Sequence, residues 1–198
     1  MAKIILLRHL ESQWNKENRF TGWTDVPLSE EGIKSAKETA GKIAGFEINK
    51  IYTSPLIRNK ETVSLILENL GKENLPMVID KALDERNYGK LQGLNKDEVK
   101  KQYGEEKVRL WRRSWDVAPP GGESLKDVYK RTIPFYQEHI EKDLKEGKNV
   151  LIVASHNSLR AIIKYVEKIS DQDIINREVP YGGLLEYEFV NGVYKKLD

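Results

Sequence analysis

Three histidines, His9, His139 and His156, are the only imidazoles in this 198-residue chain. With no cysteine present, they are its strongest candidates for nucleophilic or proton-transfer chemistry at neutral pH. The lack of cysteine also removes disulfides and thiolate metal sites. Two of the three follow an apolar run: His9 comes after Ile4-Ile5-Leu6-Leu7-Arg8, and His156 after Val150-Leu151-Ile152-Val153-Ala154-Ser155. In open α/β sheets ligands lie beyond the carboxyl ends of the strands, so two central parallel strands would bring His9 and His156 to one crevice. Arg8 beside His9, and Arg58 after a third strand-like run, add cations suited to a phosphoryl group. His139, in Gln137-Glu138-His139-Ile140 on a charged helical stretch, is read as an ordinary structural residue. Neither HExxH, Walker A nor GxGxxG occurs, so metal and nucleotide sites have no motif behind them.

The positioning elements follow from the apolar pattern. Wholly apolar runs at 4–7 and 150–153 have the character of strands buried on both faces. Ser29-Glu30-Glu31-Gly32 opens a helix to about Ala44, with Ser29 as N-cap and Ile33, Ala36, Ala40 and Ile43 on its apolar face. A strand at 50–53, a helix at 55–70 and a strand at 77–80 follow. The charged, aromatic stretch Asn95 to Trp115 reads as helical and stops before Pro119-Pro120-Gly121-Gly122. An amphipathic segment runs from Glu123 to Lys145 with a kink at Pro134, and a further helix spans 159–168. Asn191-Gly192 between alternating runs predicts a closing hairpin, Leu184 to Val190 and Tyr194 onward. This alternation predicts an α/β fold: a mostly parallel central sheet flanked by helices on both faces, in a single domain 1–198, with 85–122 as a small helical lid.

Hydrophobic residues make up 39% and charged residues 32% of the chain, and 33 Lys plus Arg against 31 Asp plus Glu leave a net charge of only +2. That balance excludes general disorder and gives no electrostatic reason to expect nucleic acid. No apolar run approaches the ~18 residues of a membrane span, and Met1-Ala2-Lys3-Ile4-Ile5 reads as a strand instead of a leader. The expected location is cytoplasmic, with no membrane partner.

Arg8-His9-x-Glu11-Ser12-x-Trp14-Asn15, Phe20-Thr21-Gly22-Trp23-Thr24-Asp25-Val26 and Tyr52-Thr53-Ser54-Pro55-Leu56-x-Arg58 resemble the histidine phosphatase superfamily. Asp84-Glu85-Arg86-Asn87-Tyr88-Gly89-x-Leu91-Gln92-Gly93-Leu94-Asn95-Lys96, Trp111-Arg112-Arg113-Ser114, Glu123-Ser124-Leu125, Asn157-Ser158-Leu159-Arg160 and Pro180-Tyr181-Gly182 extend the resemblance over nearly the whole chain. They point to its cofactor-dependent phosphoglycerate mutase branch. The resemblance implies that His9 becomes phosphohistidine, that Arg8, Arg58 and His156 surround the transferred phosphoryl group, and that Glu85 is the general acid and base. It implies that Ser12, Asn15, Thr21, Gly22, Arg86, Tyr88, Lys96, Arg112, Arg113 and Asn157 bind the substrate. It further implies 3-phosphoglycerate and 2-phosphoglycerate as small-molecule partners, 2,3-bisphosphoglycerate as primer, no metal, and a monomer or homodimer. Glu85 in that role needs burial or an anionic neighbour to raise its pKa.

The chain departs from the family pattern in four places. Leu10 replaces the glycine after the nucleophile, where its side chain is expected to crowd the phosphate or shift the turn. Where the family reads His-Gly-Asn-Ser-Leu-Arg, this chain has Ser155-His156-Asn157-Ser158-Leu159-Arg160. Either His156 keeps the histidine's role across a gap, which is the favoured reading, or Ser155 occupies its position. Asn87 stands where long members have histidine, and the insertion those members carry after the Pro-Pro pair is missing. Two alternatives stay open: a phosphatase on small phosphorylated carboxylates, and a non-catalytic binder of phosphorylated metabolites.

Overall fold

The computed structural model describes residues 1–197. In chain order its elements are β1 (Ala2–Arg8), α1 (Gln13–Lys16), α2 (Glu30–Lys42), β2 (Lys50–Thr53), α3 (Ile57–Leu70), β3 (Met77–Ile79), α4 (Lys96–Tyr103) and α5 (Glu105–Arg113). Then follow α6 (Leu125–Phe135), a π-helical turn (Tyr136–Ile140), α7 (Glu141–Lys145), β4 (Val150–Ala154), α8 (His156–Glu167), β5 (Leu184–Val190) and β6 (Val193–Lys196). The six strands form one sheet in the order β3-β2-β4-β1-β5-β6. The first four run parallel, while β5 pairs antiparallel with β1 and β6 with β5.

The apolar runs are strands because each buries alternate residues on opposite faces of the sheet. Ile4 and Leu6 of β1, with Val150 and Ile152 of β4, pack beneath residues of α6, the π turn, α7 and α8. Ile5, Leu7, Leu151 and Val153 face Ala40, Val63 and Ile66 of α2 and α3. Helices therefore cover both faces, and no polar face remains on the two central strands. Pairing of Ile4 with Val150 through Arg8 with Ala154 brings the ends of β1 and β4 level.

Ser29 caps α2 by accepting from the Gly32 N–H at 3.0 Å. Ala36 and Ala40 are buried, but Ile33 is 49% exposed and lies off the core-facing stripe. The 95–115 stretch is two helices, not one, because Gly104 adopts φ +86° between α4 and α5. The kink expected at Pro134 becomes the π turn: a proline has no N–H for the preceding turn, and wider-spaced bonds follow it. Helix α8 begins at His156, three residues before the predicted start, with Ser155 at its N-cap. The hairpin forms as expected, with Asn191 and Gly192 both at positive φ.

Residues 84–122 carry α4 and α5 and a small core of their own, in which Phe20, Leu91, Val99, Val108 and Trp111 pack together. Arg131 of α6 ties the start of this segment down. It donates to the carbonyls of Ala82 (3.0 Å), Asp84 (3.0 Å) and Glu85 (2.9 Å), and pairs with the Glu123 carboxylate at 2.9 Å.

Candidate active site

A crevice opens at the carboxyl ends of β1 and β4, where His9 and His156 both line it. The His9 N–H donates to the Ala154 carbonyl at 3.0 Å, so the residue after β1 is held by the end of β4. Its ring Nδ1 lies 2.6 Å from the Leu10 carbonyl, an acceptor, which places the proton on Nδ1 and leaves Nε2 as the free nitrogen. Burial, reinforced by the charges of Arg58 and Arg8, holds the His9 pKa well below its usual value of 6.5. His9 is therefore a neutral imidazole with an available lone pair.

Leu10 does not crowd this arrangement. Its side chain is buried against Leu28, Ala36 and Leu65, its N–H donates to Thr62 Oγ1 at 3.1 Å, and its φ is not positive. A glycine is unnecessary here because the backbone stays in the region open to any residue and the Cβ points into a small apolar cluster. At the second histidine, it is the His156 ring that lines the crevice. Ser155, the residue that follows the Arg8–Ala154 pair, is fully buried, and its Oγ accepts from Asn59 Nδ2 at 3.3 Å.

Glu85 reaches the crevice from the start of the 84–122 segment, and its position is fixed twice. The carbonyl accepts from Trp23 Nε1 at 2.6 Å and from Arg131, while carboxylate Oε1 accepts from the N–H of Arg86 (2.6 Å), the N–H of Asn157 (3.2 Å) and Asn157 Nδ2 (2.8 Å). Burial alone would raise its pKa, but His156, these hydrogen bonds and Arg58 together bring it below the ordinary glutamate value. Burial also depresses His156, to about 4 against the opposing pull of Glu178, so His156 is uncharged at neutral pH. Under those conditions the hydrogen bonds, the Arg58 charge and the amino end of α8 keep Glu85 ionised. The expected upward shift from burial is thus absent in the free protein.

One wall of the crevice is cationic. Arg8 donates through Nη1 to the Val179 carbonyl at 2.5 Å, and its guanidinium lies 4.0 Å over the Tyr181 ring. Arg58, 1% exposed, uses Nη2 and Nη1 on the carbonyls of Gly22 (2.8 Å) and Thr24 (3.1 Å), which shapes the 21–25 loop. Gly22 has φ +56°, a conformation L side chains rarely adopt, and a Cβ there would also push aside the end of the Gln92 side chain, whose Oε1 it would meet at 2.2 Å. Asn15, Thr21, Tyr88, Lys96, Arg112 and Arg113 complete the predicted lining.

Two predicted residues do not line the crevice. Ser12 is fully buried at the N-cap of α1, where its Oγ donates to Asn15 Oδ1 at 2.7 Å, so it orients a lining residue instead of meeting a ligand. Arg86 lies behind Tyr88, to whose hydroxyl it donates at 3.2 Å, and also bonds the Arg112 carbonyl at 3.1 Å. Four lining residues escaped the sequence reading: Arg19, Phe20, Glu178 and Tyr181. The first, second and fourth sit inside or beside motifs already singled out, whereas Glu178 lies in a loop with no pattern to mark it.

Arg8 Nε, Thr21 Oγ1 and His156 Nε2 are buried polar atoms without hydrogen-bond partners, and all three belong to crevice residues. Unsatisfied buried donors around a cationic hollow fit an anionic ligand with several oxygens. Among the described residues no group of three His, Cys, Asp or Glu side chains is placed to hold a metal ion, and no helix is long and apolar enough to cross a membrane.

Comparison with known proteins agrees with the geometry. Residues 4–197 match the family model described as histidine phosphatase superfamily (branch 1). A protein from Afipia carboxidovorans named 2,3-bisphosphoglycerate-dependent phosphoglycerate mutase is 48% identical over 182 residues, covering 90% of this chain and 87% of its own length. One of the same name from Chlamydia muridarum is 40% identical over 220 residues, covering 99% and 97%. Among solved structures, Bacillus stearothermophilus YhfR superposes with a TM-score of 0.87 at 27% identity, over 99% of this chain and 95% of that one. A mycobacterial glucosyl-3-phosphoglycerate phosphatase complexed with VO3 shares the fold, with a TM-score of 0.86 at 23% identity over 99% and 97% of the two chains. The chain belongs to branch 1 of the histidine phosphatase superfamily, within its 2,3-bisphosphoglycerate-dependent phosphoglycerate mutase family.

Proposed function

We propose that this protein interconverts 3-phosphoglycerate and 2-phosphoglycerate through a phosphohistidine at His9. The observation that carries the reading is His9 itself: neutral, with Nδ1 committed to a backbone carbonyl, in a crevice lined by six Arg and Lys side chains. 2,3-Bisphosphoglycerate, when bound, supplies the phosphoryl group that primes His9. Arg8, Thr21, Lys96, Arg112 and Arg113 are the residues suited to hold its anionic oxygens.

His9 Nε2 attacks phosphorus, the bond to the leaving oxygen breaks as the nitrogen–phosphorus bond forms, and that oxygen takes a proton from Glu85. Arg8 and Arg58 stabilise charge on the equatorial oxygens, the main service a protein gives this transfer. In the return step a substrate hydroxyl attacks the phosphohistidine, the nitrogen–phosphorus pair goes back to the imidazole, and the hydroxyl proton passes to Glu85. An anionic phosphate beside Glu85 and His156 raises both pKa values, so Glu85 is the acid as the phosphoryl group moves to His9 and the base as it returns. Residues 85–122 act as a lid that limits water at the phosphohistidine.

Phosphorus NMR of the protein with 3-phosphoglycerate, with and without a trace of 2,3-bisphosphoglycerate, tests the reading. Primer-stimulated 2-phosphoglycerate is expected. Inorganic phosphate without the isomer would instead make the protein a phosphatase, and no turnover would make it a binder.

A further inference from the structure

We propose that Glu178 is an affinity-setting residue: a built-in carboxylate that occupies the anion-binding end of the crevice and must be displaced when ligand enters. The inference rests on the phosphoglycerate reading and concerns the same site. One carboxylate oxygen of Glu178 pairs with Arg113 Nη1, and the other lies 3.2 Å from His156 Nε2, in a geometry that makes no hydrogen bond. Both partners face the crevice and are among those that would meet ligand anions.

The backbone on either side of Glu178 is anchored. The Arg177 N–H donates to the Ile174 carbonyl at 3.1 Å, and Val179 is buried with its carbonyl held by Arg8. The Glu178 side chain, by contrast, is 55% exposed, so it can turn out to solvent without disturbing the strand that follows. A firmly held base with a free end suits a displaceable group.

Charge sets the consequence. Six cations and two carboxylates, Glu85 and Glu178, line the crevice, a formal excess of four positive charges. A monophosphoglycerate carries roughly −3, from one carboxylate and one phosphate of about −2, which this excess accommodates. A bisphosphoglycerate carries roughly −5 and exceeds it, unless Glu178 leaves. Glu178 therefore weakens binding in proportion to ligand charge, and most for the primer.

The test is calorimetric titration of wild type and Glu178→Gln with inorganic phosphate, 3-phosphoglycerate and 2,3-bisphosphoglycerate. Removing one like charge at this distance is expected to lower Kd about five- to tenfold for the bisphosphate, with smaller gains for the other two. KM for 3-phosphoglycerate should fall in step with Kd. An equal Kd in both proteins would reduce Glu178 to a surface residue, and a higher Kd or a lower kcat would make it a group that positions Arg113 and His156; each result overturns the proposal. Failure of the wild type to turn over 3-phosphoglycerate would count against the function, whereas the phosphate titration still reads Glu178 independently of turnover.

Discussion

His9 and Glu85 divide the chemistry because their surroundings push them to opposite charge states. Buried, and beside the charges of Arg58 and Arg8, the imidazole stays neutral; with three N–H donors on one oxygen, the carboxyl stays ionised. Glu85→Gln keeps the size and the bonding pattern but cannot take a proton. It is expected to lower kcat by about 10²- to 10⁴-fold while inorganic phosphate binds at least as tightly as to wild type. Steady-state kinetics beside a phosphate titration checks both halves, and an unchanged kcat would remove Glu85 from proton transfer. Gly22→Ala is expected to lose affinity for phosphoglycerate by distorting the loop that Arg58 shapes, since the new Cβ meets the Gln92 side chain at a φ that L residues avoid. A Kd within twofold of wild type would show that the loop yields.

Arg131 is to the 84–122 segment what the β1–β4 pairing is to His9: it decides where Glu85 sits. Arg131→Met leaves the Glu123 carboxylate without its partner and several carbonyls with fewer donors, at a cost of about 2–3 kcal/mol. Urea unfolding should show that loss, and limited proteolysis should cut within 84–122 sooner than in wild type; an unchanged midpoint and cleavage rate would contradict the anchoring role. The elements that were legible in the sequence are those whose signals are local. β1 and β4 announce themselves as apolar runs, α2 by its serine cap, and the last hairpin by Asn-Gly. What was not legible depended on partners distant in sequence. Helix α8 starts at His156 because Ser155 follows a paired strand end, which turns His156 and Asn157 into helix N-terminal residues rather than loop residues. Leu10 looked disruptive only because the residues that receive its side chain, Leu28, Ala36 and Leu65, come from elsewhere in the chain. Glu178 had no signal at all, since an acidic residue in a loop is read as solvated until Arg113 and His156 are seen beside it.

Across the whole molecule, burying a cationic crevice makes stability depend on pH. In the folded protein His9 and His156 stay neutral well below 6.5, whereas in the unfolded chain both take up protons near 6.5. The unfolded state then binds more protons, so their contribution is complete above about 6.5 and is lost as pH falls, for His156 down to about 4. Asp84 acts the other way. Burial raises it to about 6, so the folded state binds the extra proton between 6 and 4 and gains stability as pH falls. Two histidines against one aspartate leave a net loss of stability as pH falls below 6.5, readable as a shift in urea midpoint. Asp84→Asn should steepen the fall and His156→Gln should flatten it; parallel curves for all three proteins would refute the assignment.

Trapping the phosphoenzyme shows whether one imidazole, His9, carries the phosphoryl group. The protein is mixed with 2,3-bisphosphoglycerate, quenched in base, digested and mapped by mass spectrometry, with His9→Ala and His156→Gln run beside wild type. An acid-labile phosphohistidine is expected on His9 in wild type and in His156→Gln, and none in His9→Ala. Label on His156, or label that survives in His9→Ala, would contradict it.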